Sequence, residues 1–150
     1  LRLVFHDDLR YLVDSYFKAS SRMVELGGFD FVAHLDKISM NGSLMDSTLT
    51  EQEWYNRLLW DYMSLIAKKG VMVEVNTKAY TKKGMMFPNV KYFKWLKELN
   101  IPVMVNSDAH LPQLVNDNRA LAFEWLREVG IKSTMRLHQG EWVEVPIDNK

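Results

Sequence analysis

The chain has 150 residues, 47% hydrophobic and 25% charged, which suits one modest globular domain and excludes wholesale disorder, collagen-like repeats and a long coiled coil. Lys+Arg and Asp+Glu both number 19, so no net field draws a polyanion or an anionic membrane. No run approaches the ~18 uninterrupted apolar residues of a membrane span. Cysteine is absent, which excludes disulfides and thiolate zinc sites and leaves His, Asp, Glu and water as metal donors.

Leu1–Phe5 reads as neither a signal peptide nor a transit sequence. The first clear element is already a long amphipathic helix that needs a partner surface, so the 150 residues are expected to be a portion of a larger domain. That helix runs from Asp7 or Asp8 to Leu26, with Leu9, Leu12, Val13, Tyr16, Phe17, Met23 and Val24 at helical spacing and Gly27-Gly28 as its stop. Phe29–Leu35 predicts a strand, and Ser39–Ser47 a loop. Thr50 and Glu53 match a capping box, opening a helix striped by Trp54, Leu58, Leu59, Tyr62, Leu65 and Ile66 and ended by Gly70.

Val71–Thr77 predicts a second strand, and Ala79–Phe87 a basic loop. Pro88 opens a third helix carrying Phe93, Leu96 and Leu99. Pro102–Ser107 predicts a third strand. Pro112–Val129 reads as helical, broken near Asn116–Asn118. Thr134–Leu137 and Trp142–Ile147 close the chain as a hairpin around Gln139-Gly140. Strands separated by helices imply βαβ units and a parallel sheet, enough for part of a barrel and too little for a closed one.

Alternation sorts the strand residues. Val71, Val73 and Val75 oppose Met72, Glu74 and Asn76; Val103 and Val105 oppose Met104, Asn106 and Asp108; Phe31 and Ala33 oppose Val32, His34 and Asp36. Each polar set gathers toward the C-terminal strand end, where α/β barrels keep their chemistry. In Ser107-Asp108-Ala109-His110 a carboxylate and an imidazole two residues apart project the same way in extended chain. Both are ordinary ligands for Zn, Mn or Fe. The competing readings are an Asp that caps the following helix, a hydrogen-bonded core His at 34, and a Glu74 paired with Lys37 or Lys78. Three strands delivering His, Glu and Asp/His to one face favour a metal site over three unrelated roles.

Gly28-Phe29-Asp30-Phe31-Val32-Ala33-His34-Leu35-Asp36-Lys37 resembles the "fD…GHlD" segment of PHP (polymerase and histidinol phosphatase) proteins, with Ala33 in place of the usual Gly. Glu74-Val75-Asn76-Thr77 resembles their "EiNt" strand, and Asn106-Ser107-Asp108-Ala109-His110 their "SDAH" signature. The helix with Tyr16-Phe17 is similar to the histidinol-phosphatase branch. The likeness spans most of the chain but corresponds to the C-terminal portion of one barrel domain; the family's opening His-x-His and the acidic residues after it would lie upstream of Leu1.

The resemblance implies an α/β fold, the C-terminal part of a distorted (β/α)₇ barrel, with a trinuclear site of divalent transition metals (Zn, Mn or Fe) in the complete domain. By motif, His34, Asp108 and His110 are metal ligands, and Asp108 or His110 is also catalytic in handling the proton. Glu74 and Asn76 line the pocket, Glu74 behind the ligands, while Lys37, Lys78, Lys82 and Lys83 are candidates to hold phosphate. His6 is a weaker substitute for a missing imidazole, and His138 is expected to be exposed in the hairpin turn.

The implied activity is phosphomonoester hydrolysis in the cytoplasm, of L-histidinol phosphate in histidine biosynthesis. The alternatives are another phosphorylated metabolite or nucleotide, or a non-catalytic half-barrel that binds a partner. The implied partners are a small phosphorylated metabolite and the missing N-terminal half, with no nucleic acid and no membrane. Alone, the chain is expected to be inactive or nearly so.

Overall fold

A computed structural model describes residues 8–147; the expectation for His6 lies outside them. The first helix, α1 (Leu9–Leu26), starts where the Asp8 carboxylate accepts the Tyr11 N–H at 2.9 Å, satisfying a donor that a helix start leaves unpaired. It stops at Gly27, whose φ of 67° costs a residue without a Cβ little. The long α3 (Glu53–Lys69) likewise ends on left-handed Gly70. The two helices pack through Phe17, which meets Tyr55 and Tyr62 at ring separations of 5.8 and 5.7 Å.

The sheet is parallel, in the order β1-β2-β3, from β1 (Phe31–Val32), β2 (Met72–Asn76) and β3 (Val103–Asn106). β4 (Ser133–His138) and β5 (Glu141–Pro146) form a separate antiparallel hairpin. The architecture is therefore mixed α/β, and among the described residues no closed barrel is present. Val73 and Val75 of β2, with Val103 and Val105 of β3, join the core that α1, α3, α5 (Phe93–Glu98) and α6 (Arg119–Glu128) cover. Met72, Glu74, Asn76 and Met104, on the opposite face, are also buried. The expected polar face is thus an interior one.

Several expectations change. The first strand spans two residues rather than Phe29–Leu35, because His34 takes φ 37° and turns the chain. Its predicted alternation through Asp36 therefore does not form; Asp36 sits fully buried under a short helix, α2 (Ile38–Gly42), inside the expected Ser39–Ser47 loop.

The Thr50/Glu53 capping box is not made either. Thr50 lies in a 3₁₀ turn (Leu49–Glu51), the N-cap of α3 is Gln52 without a side-chain bond, and the Asn56 amide donates to the Thr50 and Gln52 carbonyls. The basic loop holds a one-turn helix, α4 (Tyr80–Lys83). Pro88 follows a cis peptide bond and does not start a helix; a 3₁₀ turn at Val90–Tyr92, capped by Asn89, leads into α5 instead. The break at Asn116–Asn118, the exposed His138 and the closing hairpin agree with expectation.

Candidate functional site

Glu74 sits in the middle of β2 and is 6% exposed. Burying a carboxylate there is costly unless donors surround it. Its Oε2 accepts the His34 backbone N–H at 3.2 Å and the Asn76 amide at 3.1 Å, and its Oε1 accepts the Asn106 amide at 3.1 Å. The expected ion pair with Lys37 or Lys78 is not formed; neutral donors from all three strand ends replace it. Parallel register explains the convergence, since Asn76 lies beside Asn106 and Glu74 beside Met104. Asn106 is the participant that sequence reasoning placed on the right face without assigning it a role. Its signal was its alternation with Val103 and Val105.

Past the strand ends the chain folds back over this network. Asn76 Oδ1 accepts the Lys78 N–H at 3.1 Å, and Asn76 exchanges backbone bonds with Phe87 at 2.8 and 3.1 Å, filling the place that β1 vacates beside β2. Thr77 Oγ donates to the Asp117 carbonyl at 2.6 Å, and Thr81 Oγ to the Asp117 carboxylate at 2.9 Å. These bonds tie the segment after β2 to the one after β3.

Lys78 thereby reaches Asp108 and His110: its Nζ stands 3.1 Å from Asp108 Oδ2 and 3.1 Å from the His110 ring nitrogens. The two do not converge by strand alternation, because β3 has already ended and Asp108 has φ 47°. A turn does it, with His110 Nδ1 2.9 Å from the Asp108 carbonyl oxygen. The carboxylate is about one-third exposed and the imidazole largely exposed.

Partial burial works against ionising Asp108, but the Lys78 hydrogen bond and charge, helped by Asn76 and His110, outweigh it together and hold the pKa below the ordinary Asp value.

His34 enters the network through its backbone. Among the described residues no bond ties its ring to Asp108 or His110, and no three His, Asp or Glu side chains stand close enough to hold a metal ion together. Asp108 and His110 meet at one cation, the Lys78 ammonium. Of the other lysines, Lys83 approaches Met40 Sδ at 3.4 Å, and Lys37 and Lys82 are exposed. None of the three joins Lys78.

Behind the site Asp36 is fully buried. Its Oδ2 accepts the Asn89 N–H at 2.9 Å, while Oδ1, Ser39 Oγ and the Tyr55 hydroxyl have no geometric partner. Desolvation drives its pKa up to about 7 against the opposing hydrogen bond from Asn89 and the charge of Lys91. The Tyr55 hydroxyl is pushed up in turn, by burial first and then by the Asp36 charge.

No family model and no curated protein matches the chain. No helix among the described residues is long and apolar enough to cross a membrane.

Proposed function

We propose that the chain is the C-terminal part of a PHP-type barrel whose complete domain hydrolyses a phosphomonoester, L-histidinol phosphate being the preferred substrate. The observation that carries this reading is the triad at the strand ends. Asp108, His110 and Lys78 meet within 3.1 Å contacts above a carboxylate held by three donors. That combination offers two metal donors and one phosphate-binding cation on a braced floor. The family in this reading rests on the resemblance of the "SDAH", "EiNt" and "GHlD" motifs.

In this reading Asp108 and His110 hold a divalent transition metal, with His34 as the further ligand of the complete site. When bound, the metal supplies Lewis acidity and charge neutralisation. The residues do the rest. Lys78 Nζ neutralises a phosphoryl oxygen, while Glu74 and Asn76 fix the backbones of His34 and Lys78 beneath it. Water attacks phosphorus, the bond to the substrate alkoxide breaks, and His110 or Asp108 carries the proton from the water to the leaving alkoxide. Lys37 and Lys83 serve as outlying attractors of the phosphate. The reading places the protein in the cytoplasm, in histidine biosynthesis.

The test is phosphate release by this chain combined with the N-terminal half of such a barrel, in manganese or zinc buffer. The substrate panel is L-histidinol phosphate against nucleoside monophosphates. Expected is release from L-histidinol phosphate that a chelator and D108N each abolish. A preference for nucleotides would move the substrate within the family; no release from any phosphomonoester would remove the catalytic reading and leave a binding half-barrel.

A further inference from the structure

Three polar side chains from three elements are wholly buried around one point of the core: Asp36 before α2, Ser39 on α2 and Tyr55 on α3. Asp36 Oδ1, Ser39 Oγ and the Tyr55 hydroxyl each lack a hydrogen-bond partner among the described residues. Leaving such groups unpaired in the interior is costly. They also stand together. Burial comes first in raising the pKa of the Tyr55 hydroxyl; beyond it, the Asp36 charge raises that value further and the Ser39 hydroxyl lowers it.

The neighbours are already committed. The Asp36 charge is also felt at the hydroxyls of Tyr16 and Tyr92, but neither serves it. Tyr16 donates to the Leu35 carbonyl at 3.1 Å, and Tyr92 to Asn56 Oδ1 at 2.8 Å. Asp36 Oδ2 is taken by the Asn89 N–H at 2.9 Å. What remains is two hydroxyl donors and one carboxylate acceptor, none of them bonded directly to another.

We infer that one internal water molecule sits between Asp36, Ser39 and Tyr55, accepting from both hydroxyls and donating to Asp36 Oδ1. Three bonds is the usual complement of a buried water, and the donor and acceptor count closes. A metal cation suits the set less well. It would turn both hydroxyl protons away from the carboxylate and add positive charge where Lys91 already acts on Asp36. The water joins α2 to α3 and fixes the carboxylate that holds Asn89. Through the Phe87 segment, which pairs with Asn76, that brace reaches the sheet. The inference does not rest on phosphatase chemistry.

The experiment is a high-resolution crystal structure of the whole chain, with urea unfolding of the parent, S39A, Y55F and S39A/Y55F. Expected is one ordered water within hydrogen-bond distance of all three oxygens. Each single variant should lower the folding equilibrium constant by about fivefold, the worth of one hydrogen bond. Because one water serves both hydroxyls, the double variant should fall short of the product of about twenty-fivefold.

Density without a water at that point overturns the inference, as does a direct bond from Ser39 or Tyr55 to Asp36 Oδ1. So would an ion there with further oxygen ligands, which would assign the site to a cation, or a double variant that shows the full product. Should either variant unfold, the crystallographic result on the parent decides alone.

Discussion

Lys78 bridges two strand ends: it follows β2, yet its ammonium sits 3.1 Å from Asp108 Oδ2, beyond the end of β3. The contact is possible because Asn76 holds the Lys78 backbone while Thr77 and Thr81 pin the Asp117 segment from the other side. Position, more than pairing energy, is what this arrangement secures, since ion pairs this exposed contribute under about 1 kcal/mol.

Lys78→Met should accordingly leave stability within about 1 kcal/mol of the parent while changing the site. Asp108 loses the main influence that lowers its pKa, so its carboxyl should titrate closer to the ordinary Asp range in an NMR titration. Affinity for zinc or manganese should rise about fivefold, because a competing positive charge is gone, and binding of inorganic phosphate should fall. A variant that binds metal and phosphate like the parent would show that Lys78 is only a surface cation.

Glu74→Gln tests the floor of the site. The carboxylate accepts from three donors, whereas an amide offers one acceptor and sets its NH₂ against a donor. Leaving a buried donor without a partner costs about 1–3 kcal/mol. Urea unfolding should record that loss, together with a weakened contact at the His34 amide. Unchanged stability would mean that the network is not under the constraint described.

Asp36 sets a pH dependence whose direction is fixed. Its folded pKa of about 7 exceeds the ordinary Asp value of 3.8, so the folded state holds the proton more tightly than the unfolded one. Its contribution is fully present below about pH 4 and is lost as pH rises toward about 7. The metal-free chain should lose stability across that window, by a few kcal/mol at most, and Asp36→Asn should flatten the profile. Urea midpoints from pH 5 to 8 decide it; a parent profile that rises through the window instead would contradict the placement of Asp36.

Gly42 closes α2 against the core. A Cβ there would run into Leu49 and press on Leu9 at 3.3 Å, and Leu49 is wholly buried. Gly42→Ala should cost about 1–3 kcal/mol by overpacking, read by urea denaturation. An unchanged midpoint would mean that Leu49 has room to move.

Helical periodicity made α1 and α3 legible, and runs of β-branched residues did the same for β2 and β3, because local pattern and burial agree there. The first strand was misjudged because its apolar run continues past His34, which has a positive φ and gives its N–H to the Glu74 carboxylate 40 residues later. The capping box failed because the helix starts two residues later than it requires, Thr50 lying in the 3₁₀ turn and Gln52 standing at the N-cap. Glu74, Asn76 and Asn106 were legible from alternation, whereas His34 and Asp108 lie past their strand ends at positive φ, where alternation no longer places a side chain. The choice of Lys78 among four lysines was not, since it depends on how the two segments after the strands cross.

The most direct measurement of the central claim is metal content and phosphate release on one purified sample, with its intact mass, for the parent and D108N side by side. The account predicts a co-purifying or supplied N-terminal piece, bound transition metal, and release of phosphate from L-histidinol phosphate that D108N abolishes. Metal-free protein that releases no phosphate from any phosphomonoester, even with that piece present, would contradict it.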